Sequence, residues 1–124
     1  MGYRSEVILV VDKRIEGMLM HAFTSCPSAH ALCHEHVDER KERDDAILFS
    51  WSQIKWYESY AEVSALVDFM DRLDNSDKIE IDGEEIDPIE LYRFVRTGEN
   101  TEDVECRGFG FENIYPYTSI NVDF

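Results

Sequence analysis

Alternating apolar and polar positions mark residues 46–57 as the stretch around which the core forms. Ile47, Phe49 and Trp51 fall on one face with a period of two, whereas the other face is mixed. This pattern is typical of a strand that packs one side against a second layer. An aromatic side chain buries roughly 150–250 Å², and both tryptophans lie here. The pattern therefore predicts that this stretch is the central strand.

Four further stretches in the first 74 residues carry strand or helix signals. Residues 3–12 contain an apolar run, which predicts a strand in the interior of a sheet. Apolar residues at helical spacing predict a helix over 13–24, a short helix from Pro27 to about Glu39, and a third helix from Ser59 or Tyr60 to Asp74. The mixed charges of residues 38–45 indicate an exposed helix end and a loop.

The remainder of the chain favours short strands joined by turns. Residues 78–87 predict a hairpin that turns at Asp82-Gly83, and Pro88 opens a helical turn. Further strands are predicted over residues 92–97, 102–108 and 117–124. In the strand over 102–108, Val104 and Cys106 are expected to point inward.

This order of elements predicts one α+β domain over residues 1–124. Two or three helices would cover one face of a mainly antiparallel sheet in a two-layer sandwich, with a ferredoxin-like core as the first expectation. No stretch approaches the ~20 apolar residues that cross a bilayer. The start of the chain lacks a signal-peptide pattern, so the sequence favours a cytoplasmic protein.

Negative charge is the strongest compositional feature of the chain. The formal net charge is −15, and residues 58–106 alone hold sixteen acidic and four basic residues, a net of −12. Nucleic acids are bound through Lys and Arg, so this charge argues against nucleic acid and anionic membranes as direct ligands. It favours a basic protein partner, although acidic surface can also serve solubility alone.

A candidate partner-binding surface follows from the charge pattern. The outward positions of the third helix and the acids of the hairpin would form one negative face beside the last aromatic residues of the central strand. Carboxylates at short spacing on a rigid surface could imitate a phosphate backbone. The candidate residues are Trp56, Tyr57, Glu58, Glu62, Asp68, Asp71, Asp74, Glu84 and Glu85.

The histidines and two cysteines suggest a metal site as an alternative. Cys26, His30 and Cys33 are spaced i, i+4, i+7, and His34 lies beside them. Thiolate and imidazole are the usual zinc ligands, but CxxC and HExxH motifs are absent and Pro27 would break a shared helix. Packed cysteines and solvated histidines are the simpler interpretation. The same segment pairs Cys33 with His36 in a weak nucleophile–base arrangement.

Three arginines within the acidic half, Arg93, Arg96 and Arg107, suggest another alternative. They could bind an anionic ligand, Arg93 or Arg96 above all, because a guanidinium matches carboxylate and phosphate geometry. A nucleotide-sequestering protein would use such contacts. Pairing with neighbouring acids is equally compatible with the sequence. The hairpin acids lack the calcium-loop spacing, so no cofactor or metal is expected there.

Several segments together resemble small uncharacterised proteins of bacteriophages and prophages. The resemblance rests on the opening Met-Gly-Tyr-Arg-Ser-Glu-Val, on Trp-Ser-Gln-Ile-Lys-Trp-Tyr at 51–57, and on Tyr-Arg-Phe-Val-Arg-Thr-Gly-Glu at 92–99. This group supplies no catalytic motif. The resemblance implies a non-enzymatic inhibitor of a host defence complex, of the anti-CRISPR or anti-restriction kind, acting in the bacterial cytoplasm. The oligomeric state, including a homodimer, stays open.

Overall fold

A five-stranded antiparallel sheet forms one layer of the protein, and helices cover one of its faces. The computed structural model describes residues 2–100 and 102–111, and the backbone of 115–116 and 120–121. The strands are β1 (Ser5–Asp12), β2 (Glu39–Glu42), β3 (Ala46–Ile54), β4 (Ile79–Ile81), β5 (Glu84–Ile86), β6 (Tyr92–Gly98), β7 (Val104–Arg107), β8 (Tyr115–Pro116) and β9 (Ile120–Asn121). The α-helices are α1 (Glu16–Ser25), α2 (Pro27–His34) and α3 (Ala61–Asp74).

The strand order of the main sheet is β2-β3-β1-β6-β7. Each neighbouring pair is antiparallel, α1 and α2 connect β1 to β2, and α3 lies between β3 and β6. This is the βαββαβ connectivity of a split β-α-β arrangement, to which β7 adds an edge. The predicted α+β class is confirmed. β4 pairs with β5, and β8 with β9, in two small separate ladders.

The main core lies between the sheet and the helices. Val7, Leu9 and Val11 of β1 point into it, as the period of two requires. The indole nitrogen of Trp51 donates to the Leu32 carbonyl oxygen at 3.0 Å, so this buried ring also ties β3 to α2. Ile8 and Val10 of β1 belong to a smaller buried cluster on the opposite face of the sheet.

Three of the sequence-based predictions about the sheet need correction. β1 is the middle strand, and β3 lies second from the edge. The charged run 38–45 contains the edge strand β2, since charged side chains suit a strand whose outer edge faces solvent. Val104 and Cys106 are exposed, because pairing with β6 places the other two residues of β7 on the helix side.

The turns and termini agree with the sequence where the structure describes them. Asp82 and Gly83 have φ values of 53° and 81°, as a two-residue hairpin turn requires. The helical turn at Pro88 is a 3-10 turn over Pro88–Leu91. The strand predicted over 117–124 lies outside the described residues, except for the backbone of β9. In the described part of the chain, no helix is both long and apolar enough to span a membrane.

Candidate acidic interface

Helix α3 positions most of the predicted acidic residues. Its apolar side packs into the core, so Glu62 and Asp68 are left at the other positions of the helix. The buried residues of the helix are Val63, Leu66, Phe69, Met70 and Leu73. The pattern of apolar residues three and four apart therefore fixes which carboxylates face outward.

Two acids of α3 bind an arginine of the sheet. The Arg107 Nη2 atom lies 2.6 Å from Asp71 Oδ1 and 2.6 Å from Asp74 Oδ2. The hydroxyl group of Tyr92 donates to Asp74 Oδ1 at 2.5 Å, and the tyrosine is fully buried. Burial, with the hydrogen bond to Asp74, raises the pKa of Tyr92. Asp71 and Asp74 therefore attach α3 to β6 and β7, and the single positive charge of Arg107 offsets one of their two negative charges.

We use the term acidic interface for the remaining predicted acids: Glu58, Glu62, Asp68, Glu84 and Glu85. All except the half-buried Glu62 are exposed. None of the five makes a salt bridge or side-chain hydrogen bond with another residue that the structure describes. The hydrogen bond from Arg14 to Asp12 is the main cause that raises the pKa of Arg14, and Glu84 adds a smaller electrostatic contribution. These carboxylates are available to an external cation.

The β4–β5 hairpin, which carries Glu84 and Glu85 of the acidic interface, holds two carboxylates opposite each other. Glu80 and Glu85 are directly paired across β4 and β5, and both are exposed. Opposed side chains in an antiparallel pair have Cβ atoms about 4.5–5.5 Å apart, and like charges at this spacing are destabilising. A cation placed between them would relieve this repulsion. Sequence reasoning missed Glu80, although the hairpin register was enough to find it.

The aromatic residues predicted beside the acids have different environments. Trp56 is only 9% exposed and packs against Trp51 and Phe94, with centroid distances of 5.5 and 5.8 Å. Trp56 is therefore a core residue, and we remove it from the candidate interface. Tyr57 is half-buried and accepts a hydrogen bond from the Tyr3 backbone nitrogen at 2.7 Å.

An aromatic side chain that the sequence did not single out replaces Trp56 at the surface. Tyr60 is exposed, and its ring lies 5.2 Å from the ring of Tyr57. It directly precedes α3 and serves as the residue at its N-terminal boundary. The hydrogen-bonded Tyr57 and the exposed Tyr60 thus lie next to Glu58 and Glu62 in the chain.

The arginines proposed as anion contacts are engaged within the protein. Arg96 binds Asp103 at 2.7 Å and Glu105 at 3.2 Å, and it also donates to the Ser5 hydroxyl. Hydrogen bonding to Asp103 raises the pKa of Arg96 further. Arg93 donates to the Gly108 carbonyl oxygen at 2.9 Å. The structure thus gives Arg96 a structural role at the β6–β7 edge.

The cysteines and histidines of the predicted metal segment do not converge. Cys33 is fully buried, and desolvation raises its pKa to about 12. His30 and His34 are exposed and stack on each other with ring centroids 4.1 Å apart. Cys26 lies 3.2 Å from the Ser28 hydroxyl. Across the part of the chain that the structure describes, no group of three or more His, Cys, Asp or Glu residues could hold a metal ion.

Comparison with known proteins adds no further identification. No protein-family model matches the chain, and neither a curated protein nor a solved structure is significantly similar to it.

Proposed function

We propose that this protein is a non-enzymatic inhibitor that binds the basic, nucleic-acid-binding surface of another protein through its acidic interface. The observation that supports the proposal is a separation between two kinds of acid. Asp71 and Asp74 share an ion pair with Arg107, whereas Glu58, Glu62, Asp68 and Glu85 form no salt bridge with a residue that the structure describes. Unpaired carboxylates on a rigid helix and hairpin steer and orient a basic partner.

The spacing of these acids favours discrete contacts over a continuous imitation of a phosphate backbone. Glu62 and Asp68 are six residues apart on α3, which corresponds to about 9 Å along the helix axis. Measured along the axis of a DNA duplex, the phosphates of one strand follow each other about every 3.4 Å. A few Lys or Arg side chains of the partner would therefore pair with individual carboxylates. The resemblance to phage proteins makes a bacterial defence complex, such as a CRISPR effector, the proposed target.

The test compares two variants with the same change in net charge. Glu58→Lys with Glu85→Lys reverses two acids of the acidic interface, one just before α3 and one in the hairpin. Glu35→Lys with Asp44→Lys reverses two exposed acids that lie elsewhere and form no salt bridge to a described residue. Tagged protein is used to capture partners from bacteria that carry an active defence complex. We expect the wild type and the control variant to retain the same basic partner, and the interface variant to lose it.

Equal loss of the partner by both variants would show that net charge, and not this interface, governs binding, and full retention by both would show that neither does. Capture that is unaffected by raising the salt concentration would also contradict the proposal, because contacts between exposed charges are screened by salt. The interface variant is a fair test because Glu85→Lys places a lysine opposite Glu80. That change replaces a repulsive cross-strand pair with an attractive one, so loss of binding would not reflect loss of the fold.

A nucleotide-sequestering function has weaker support. It requires a guanidinium that is open to an anion, and Arg96 already contacts two carboxylates. A thermal-shift screen with cyclic nucleotides tests it directly. A stabilisation that persists in the Glu58→Lys, Glu85→Lys variant would favour this second function over the first.

A further inference from the structure

A groove between α1 and α3 is a second feature that the acidic interface does not explain. Its volume is about 560 Å³. Apolar and small side chains make up most of its lining, chiefly Met18 and Ala22 from α1 and Ala61, Ala65 and Phe69 from α3. The two helices leave this space open along their shared outer side. At one end they approach each other, where the Cys26 sulfur lies 3.7 Å from the Ala61 carbonyl oxygen.

The shape of the groove fits a helix better than a compact ligand. Its lining extends from Gly17 to Ser25 on α1 and from Ala61 to Arg72 on α3. At 1.5 Å per residue these spans are about 12 Å and about 16 Å long. Two to three turns of an added helix have this length. An amphipathic helix that lies in such a groove inserts apolar side chains at i, i+3 or i+4, and i+7.

The chemistry of the lining also suits a protein segment. Met18 is 37% exposed although it lies over the groove, and flexible methionines adapt to a range of apolar side chains. Gly17 leaves open space, since a Cβ atom added there would meet nothing within 4 Å. A bulky apolar residue of the partner can therefore approach the backbone of α1 at this point.

Two charged residues at the rim of the groove indicate which charges a bound helix should carry. Asp68 and Arg72 both line the groove and are one helical turn apart on α3. Neither makes a salt bridge or a side-chain hydrogen bond with another described residue. A helix with a basic and an acidic residue four positions apart along one edge of its apolar stripe would complement both charges.

We propose that the α1–α3 groove binds one amphipathic helix of a partner protein, with Leu-type anchors in the groove and a Lys/Glu edge facing Asp68 and Arg72. This inference goes beyond the proposed inhibitory function. The two proposals share Asp68, but the groove does not use Glu58, Glu62, Glu84 or Glu85, and Asp68 is unchanged in the Glu58→Lys, Glu85→Lys variant. Either proposal can therefore fail while the other holds.

The methionines of α1 provide a direct readout. Met18 lines the groove, whereas Met20 is 48% exposed and does not line it. The full chain is labelled with ¹³C-methyl methionine. A stapled 14-residue helical peptide that carries three Leu anchors and one Lys/Glu edge is then added to it. We expect a saturable shift of the Met18 methyl signal and little change at Met20. The same peptide with Leu replaced by Ser should leave both signals unchanged.

The charge pattern is tested by a cycle that leaves net charge unchanged. Asp68→Asn with Arg72→Gln removes both rim charges together, and a second peptide carries Gln at both edge positions. Exposed ion pairs are individually weak, so we expect the Lys/Glu peptide to bind the wild type three- to tenfold more tightly than the Gln peptide. That preference should disappear in the neutralised variant.

Blocking the groove completes the experiment. Ala65→Phe should abolish the Met18 shift; if circular dichroism shows that this variant is unfolded, Ser64→Phe at the lip of the groove takes its place. The proposal is overturned by no Met18 shift at 1 mM peptide, by equal shifts at Met20, or by undiminished binding to the folded blocked variant. A Met18 shift with the small apolar dye ANS but not with the peptide would likewise overturn it in favour of a small-molecule site.

Discussion

Replacing Asp74 with alanine tests whether the acids of α3 divide into structural and available groups. The carboxylate of Asp74 accepts hydrogen bonds from Tyr92 at 2.5 Å and from Arg107 at 2.6 Å. Removing it leaves the buried Tyr92 hydroxyl without its acceptor and leaves Arg107 with Asp71 alone. Asp68→Ala is the matched control, because Asp68 is an exposed aspartate of the same helix without a described partner.

The structure sets the size of this effect. A hydrogen bond to a charged group contributes about 1.5–3 kcal/mol, and Asp74 makes two. The Asp74 side chain is 27% exposed and Arg107 keeps its contact with Asp71, so water and the second carboxylate recover part of the loss. We expect the free energy of unfolding to fall by about 2–3 kcal/mol for Asp74→Ala. A surface change such as Asp68→Ala should stay within about 0.5 kcal/mol.

The free energy of unfolding of both variants is measured by urea titration. Tryptophan fluorescence reports the unfolding, since the two tryptophans are buried in the core. Tyr92→Phe removes the donor of one hydrogen bond, and the double variant Asp74→Ala, Tyr92→Phe should cost less than the two single changes together. Equal stability of Asp74→Ala and Asp68→Ala would refute the division. Strict additivity of the double variant would show that the two groups do not interact.

Three further changes test other parts of the structure. Gly108 has a φ of 83°, and an added Cβ would meet the Tyr92 carbonyl oxygen, so Gly108→Ala should lower the free energy of unfolding by at least about 2 kcal/mol in urea titrations. At pH 8 the thiol reagent DTNB should react readily with the exposed Cys106. Cys33 has a pKa that burial raises to about 12, so DTNB should label it only after unfolding. Fast labelling of Cys33 would contradict its burial. Hydrogen bonds from Arg96 and Tyr3 lower the pKa of Asp103 in the folded protein. Asp103 therefore contributes its full stabilisation above the pKa that it has in the unfolded chain, about 3.9. This stabilisation is lost as the pH falls through the lower pKa of the folded state. Asp103→Asn should therefore flatten the acid limb of stability measured against pH, and an unchanged acid limb would count against that ion pair.

Local sequence patterns were sufficient for the elements whose periodicity is strong. The apolar positions of α3 at helical spacing and the Asp82-Gly83 turn were both confirmed in the structure. The edge strand β2 was missed because its four residues are all charged and exposed. Its strand conformation arises from pairing with β3, which is a tertiary contact that a local pattern does not encode.

The candidate site was predictable in composition but not in detail. The excess of acids between residues 58 and 106 was evident from the sequence. Which of them are available was not, because Arg107 approaches Asp71 and Asp74 only through the folding of β7 beside β6. The burial of Trp56 likewise depends on Phe94, which is 38 residues away in the chain. Long-range packing, and not local charge, divides structural residues from available ones.

If the protein acts as the proposed inhibitor, its acidic interface covers a surface of the partner that otherwise binds nucleic acid. Fluorescently labelled DNA should then be displaced from the captured partner as this protein is added, and fluorescence anisotropy measures that displacement. We expect the wild type and the Glu35→Lys, Asp44→Lys control to release the DNA, and the Glu58→Lys, Glu85→Lys variant to leave it bound. Retention of DNA at saturating wild-type protein, or equal release by both variants, would contradict the account.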